Sequence, residues 1–145
     1  MEQLIQENTI GLIATVTPDG KPAVSPKATT VILDSTHVAF CDIRSPKTRR
    51  NIEANPAVEI NYIDVFSRQA CRLTGLATYI PKNTIEFESI IPLFKAWDNL
   101  FDSINGVFRV EILNAQHIFS PAYDHGAEEG PLKEEWLARY NELLG

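Results

Sequence analysis

Two cysteines, one methionine and no apolar run long enough to cross a bilayer set the first limits on this chain. Cys41 and Cys71 stand far apart, with no CxxC motif and no Cys/His ligand spacing, so zinc and dithiol-redox readings find no support. Two free thiols inside predicted strands fit a reducing compartment. The N-terminus, MEQLIQENT, carries acids and no signal-length apolar stretch, which sets a cytoplasmic expectation. His37, His117 and His125 share no spacing; Asp124, His125 and Glu128 lie close but lack a supporting scaffold, and no metal site is expected. Neither a Ser/His/Asp set nor a carboxylate pair presents itself, so no catalytic acid, base or nucleophile is assigned. Positive charge is scarce too. Thirteen Lys and Arg against nineteen Asp and Glu give a net −6, which argues against a general binder of nucleic acid or anionic membrane.

Against that acidic background one stretch stands out: FCDIRSPKTRRNIEANP, from Phe40 to Pro56. It starts as a strand, stops at Ser45-Pro46 and restarts as a helix, with Ser45 an N-cap type, Pro46 suited to the first helical position, and Asn55-Pro56 closing the segment. Arg44, Lys47, Arg49 and Arg50 fall in this short span with no acid among them. Cations are normally disfavoured at a helix N-terminus, where unpaired N–H groups and the macrodipole already present positive charge. A phosphate seated among them removes the conflict. The competing reading is a solvated helix face on which Arg49 pairs with Glu53.

The 145 residues, 44% of them hydrophobic, make one domain, residues 1–145, with no repeats or linkers. A short helix is expected over Met1–Gln6, then a strand from Thr9 to Thr17 and a Pro18-Asp19-Gly20 turn. The second strand, from Pro22, is interrupted by Ser25-Pro26-Lys27, which places it on an edge or at a bulge, and resumes from Thr29 to Leu33. Further strands are expected over His37–Ile43, Val58–Phe66, Ala70–Ile80 and Val107–Phe119, with a bulge or close approach at Gly75. Asn83–Leu100 reads as partly helical, broken at Pro92, and Leu132–Leu144 as a closing helix. Six antiparallel strands with flanking helices give an all-β class, closed as a barrel or stacked as a sandwich.

The hairpin ATVTPDGKPAVSP, the junction CDIRSPKTRRNIEANPAVEINY and the strand RLTGLATYI together resemble the pyridoxamine 5′-phosphate oxidase-like, FMN-binding split-barrel proteins. The resemblance implies a six-stranded Greek-key split barrel that forms a homodimer, with two FMN sites at the subunit interface. It places the FMN phosphate on Lys47 and Thr48, with Arg44 and Ser45 nearby. It lays the flavin ring along Ser25, Pro26 and Lys27 and against Cys41, Asp42 and Ile43. The implied activity is a flavin-dependent oxidation or reduction of a small molecule, in which the ring carries the electrons and the protein positions and tunes it. A non-catalytic flavin carrier, or a relative that binds deazaflavin or haem, stays open beside it. Taken singly, Cys41 also reads as a small buried hydrophobe, Asp42 as a partner for Arg44, and Ser25-Pro26-Lys27 as a protected edge. Trp97, Phe101 and Phe108 read as core or dimer interface. Where the family's oxidases carry a basic, substrate-gripping segment, Asp124 to Glu142 holds six acids against Lys133 and Arg139. A second phosphate is poorly served there, so pyridoxal-type phosphates are not the expected substrate.

Overall fold

The computed structural model describes residues 1–8 and 10–145, so the expected strand start at Thr9 lies outside the described residues. Helix α1 (Glu2–Glu7) leads into strands β1 (Gly11–Val16) and β2 (Pro22–Lys27), joined by a turn in which Gly20 takes the left-handed φ of 80° that the hairpin needs. Then follow β3 (Thr30–Asp34), β4 (His37–Asp42), helix α2 (Pro46–Ala54), β5 (Ala57–Asp64) and β6 (Gln69–Pro81). Helix α3 (Ile85–Ile90) runs into a 3-10 stretch over Ile91–Ser103, and the chain ends with β7 (Gly106–Phe119), a 3-10 turn at Tyr123–His125 and helix α4 (Glu129–Leu144).

The strands form one antiparallel sheet in the order β2-β1-β5-β6-β7-β4-β3. It has seven strands where six were expected. The second expected strand is really two, and they lie on opposite edges of the sheet. Only Ala28 and Thr29 connect them. Two extended residues reach about 7 Å, so the sheet must curl until its edges meet at that corner. Backbone bonds at Thr30 N–H to Ala28 O (3.2 Å) and Cys41 N–H to Thr29 O (3.3 Å) hold the corner, while β2 and β3 do not pair. The result is a barrel split along one seam, not a sandwich.

Inside it, Ile13, Phe40, Ile60, Tyr62, Phe108 and Val110 are fully or almost fully buried, with Phe40 and Phe108 stacked at 4.8 Å. A second core forms on the outer face of β4 and β7, where Ala39, Cys41 and Val107 meet Phe87, Ile90 and Phe94. The Pro92 break behaves as expected. It opens the 3-10 stretch, and non-helical angles at Phe94 and Trp97 kink that stretch so that Phe94 turns into the second core. Gly75 marks the predicted irregularity: the β6/β7 register shifts between Thr74 and Gly75, and a Cβ there would lie 2.2 Å from the Glu111 carbonyl oxygen. Helix α4 begins at Glu129, earlier than Leu132, because Pro131 sits within its first turn where the missing N–H costs nothing. Among the described residues, no helix is long and apolar enough to cross a membrane.

Candidate functional site

The β4–α2 junction is built by Asp42. Its carboxylate accepts from the Ser45 N–H at 2.9 Å and from the Tyr79 hydroxyl at 3.3 Å, and its backbone oxygen accepts from the Asn105 N–H at 2.7 Å. The Asn105 side chain returns a bond to the Ile43 carbonyl at 2.9 Å. The strand end is therefore clamped to the start of β7, and the next residues are aimed at one place. Asp42 is buried and its carboxylate shapes this turn; among the described residues no ion pair joins it to Arg44.

Helix α2 starts with Ser45 as its N-cap and Pro46 at its first position, but Ser45 makes no side-chain cap bond. The first backbone bond runs from Arg49 N–H to Ser45 O at 3.0 Å. Proline brings no N–H, and the Lys47 and Thr48 amides find no acceptor among the described residues. Both residues line a cavity of about 400 Å³, together with Thr15, Ser25, Lys27 and Arg44, among others. Thr48 is buried in its wall, Lys47 and Arg44 are exposed at its rim, and Asn51 and Thr15 form the floor, where the Asn51 amide donates to the Thr15 hydroxyl at 2.9 Å. Sequence reading missed Asn51 and Thr15. The one available signal was spacing, since Asn51 lies four residues after Lys47 and so on the same helix face.

Beside this cup lies a second, wider cleft of about 600 Å³, lined by Pro26, Lys27, Thr29, Cys41, Ile43 and Trp97 together with Arg44 and Ser45. Lys27, Arg44 and Ser45 border both spaces. The Lys27 ammonium donates to Ser45 Oγ at 2.6 Å. Burial lowers the Lys27 pKa from its ordinary value, and the nearby Asp42 carboxylate acts the other way. Cys41 is buried, its N–H donating to Thr29 Oγ1 at 3.2 Å, and burial pushes its thiol up to about 12. It is a neutral core side chain and not a reactive thiolate.

A third opening, across the Arg44–Pro46 segment, holds Asp42, Arg49, Tyr79 and Lys82. Arg49 belongs here, not in the cup: it bonds Glu53 at 2.8 Å and stacks 4.1 Å above the Tyr79 ring. The solvated-face reading therefore holds for Arg49, and Arg50 is exposed outside all three openings. The residues that the family resemblance placed at the site all border these openings. Ser25, Lys47 and Thr48 line the cup, Pro26, Cys41 and Ile43 the cleft, and Lys27, Arg44 and Ser45 the boundary, with Asp42 anchoring the turn behind them.

The family model described as pyridoxamine 5′-phosphate oxidase matches residues 1–118, a span that contains the whole of this site. The chain belongs to that family. Solved structures carry the same fold. HupZ of Group A Streptococcus superposes with a TM-score of 0.69 at 24% identity, over 83% of this chain and 92% of its own. A candidate pyridoxamine 5′-phosphate oxidase of Lactobacillus delbrueckii gives 0.67 at 22%, over 80% and 92%. An FMN-binding protein of Syntrophomonas wolfei gives 0.67 at 10%, over 82% and 84%. Others on this fold are named for FAD, F420 and haem. At these identities the likeness shows the fold alone. No curated protein matches the sequence.

Proposed function

We propose that this member of the pyridoxamine 5′-phosphate oxidase family is an FMN-dependent oxidoreductase acting on a small molecule. The observation that carries the reading is the start of α2: two open backbone N–H groups and the Thr48, Lys47 and Arg44 side chains border one cavity. A phosphate, with several acceptor oxygens and negative charge, is the kind of group such a set of donors favours. The chemistry of the donors thus fits FMN. Lys47, Thr48, Arg44 and Ser45 would hold its phosphate. Ser25, Pro26 and Lys27 would flank its ring, with Ile43 and the Cys41 side of the cleft behind.

When bound, the flavin supplies hydride or electron transfer. The protein's share is positioning and charge. Lys27, half-buried at the boundary of cup and cleft, would supply positive charge beside a flavin that gains negative charge on reduction. Among the described residues no histidine lines the cup or the clefts, so a His-ligated haem has no ligand there. A homodimer completes the proposal. Val24 on the edge strand beside the cup is 64% exposed and Leu113 on β7 is 60% exposed, and a second copy would cover such apolar side chains.

The purified protein decides between these classes. A yellow protein that releases FMN on denaturation and oxidises reduced nicotinamide, or another small reductant, is the expected result. A Soret band, a deazaflavin spectrum or bound FMN with no turnover would each replace the proposed function.

A further inference from the structure

Ser45 occupies the N-cap position and has the right side chain, yet it does not cap α2. Its φ and ψ, −129° and 46°, lie outside the extended region usual for a cap. Its oxygen instead takes a short 2.6 Å bond from the Lys27 ammonium, which reaches across from the edge strand β2. An ammonium can only donate, so one lone pair of Ser45 Oγ is committed to Lys27 and the hydroxyl proton is left to donate elsewhere. Ser45 is buried, and its hydroxyl finds no acceptor among the described residues. Ser45 borders the cup and the two openings beside it, so an anion seated in the cup is within the reach of that proton.

We infer that Lys27 is a positioning residue for the anion cup: by drawing Ser45 Oγ toward β2 it holds the oxygen away from the capping position on α2, and so leaves three donors, the Ser45 hydroxyl and the Lys47 and Thr48 amides, open for a phosphate. This deepens the FMN proposal and rests on it. The arrangement answers a puzzle in the fold. A half-buried lysine is costly, and an uncapped helix start forgoes one of the most common local stabilisers. Both costs fall at one contact, and both are offset when an anion arrives. Without Lys27 the nearest use for the Ser45 lone pair is the Thr48 N–H, three residues on, the ordinary capping bond. That bond would take the Thr48 N–H away from the cup and turn the serine toward the helix.

Two readouts test this. In the ligand-free protein, amide exchange at Thr48 should be fast in wild type and slow at least several-fold in Lys27→Met, which keeps the aliphatic stem. Unchanged exchange overturns the inference. In titrations, Lys27→Met should weaken FMN by about tenfold while riboflavin changes little, as expected for lost charge-assisted donors. Ser45→Ala should do the same, and the double variant should be no worse than Ser45→Ala alone. Additive losses would mean that Lys27 meets the phosphate directly, and the positioning role fails. Lys27→Arg, which keeps a donor, should recover part of the loss, and Lys27→Leu, which also removes the donor, stands in if Lys27→Met does not fold. Wild-type protein that binds FMN and riboflavin equally would sink the phosphate cup itself, a result distinct from additivity.

Discussion

The Asn51 side chain of α2 donates to the Thr15 hydroxyl of β1 across 2.9 Å, and both residues are buried. One bond ties the helix to the barrel wall beneath the cup. Because Thr15 also lies within 3.5 Å of the Ala23 carbonyl on β2, the floor links helix, inner strand and edge strand.

Replacing Asn51 with Leu should therefore do more than remove a bond. It leaves the Thr15 hydroxyl with a weaker partner and drives an apolar side chain into a polar floor. The expected cost is about 1–3 kcal/mol of stability, read from urea unfolding. FMN affinity should fall as well, since the cup loses its base. A variant with wild-type stability would show that the floor bond is incidental.

Gly75→Ala places a Cβ 2.2 Å from the Glu111 carbonyl oxygen and 2.9 Å from Val110 Cγ1, where backbone must move. The expected loss is roughly 1–3 kcal/mol, the range for overpacking, measured by thermal or urea unfolding. Gly20→Ala, with nothing within 4 Å but a left-handed φ, should cost less, about 1 kcal/mol.

Cys41 titrates far above its ordinary 9.0, at about 12, because burial disfavours the thiolate. Burial also raises the Tyr62 hydroxyl above its ordinary value. A folded-state pKa above the unfolded one means that the native state holds its proton longer. The stability is full below about pH 9 and is lost as pH rises toward 12, by about 1.4 kcal/mol per pH unit for each such group. Unfolding midpoints should accordingly fall above pH 9, less steeply in Cys41→Ala. The same burial predicts that Cys41 resists alkylation in native protein at pH 8 and reacts when unfolded.

Sedimentation should report twice the chain mass, and Val24→Asp should shift the protein toward monomer and lower FMN occupancy. A wild-type monomer that binds FMN fully would remove the second copy from the site.

The junction was legible in sequence because local rules crowd into it: a cap-type serine, a proline at the first helical position, and cations where the dipole disfavours them. Gly75 and Pro92 were legible for the same reason. What stayed hidden depends on distance along the chain. Nothing local marks Ala28-Thr29 as the crossing from one sheet edge to the other, since the alternation on either side reads as one interrupted strand. The Asn51–Thr15 bond spans 36 positions, and the Arg49 stack on Tyr79 joins a helix to a strand laid down later. Such contacts exist only once the barrel has curled. Lys27 was visible as a basic residue in an interrupted strand; that it meets Ser45 follows only from that curl.

The central claim is that the start of α2 grips a phosphate. Paired titration of FMN and riboflavin into wild type and Lys47→Ala tests it most directly. The account predicts that FMN binding weakens by about 1.5–3 kcal/mol, roughly ten- to 150-fold, while riboflavin binds both proteins alike. Equal losses for the two ligands, or none for either, would contradict it.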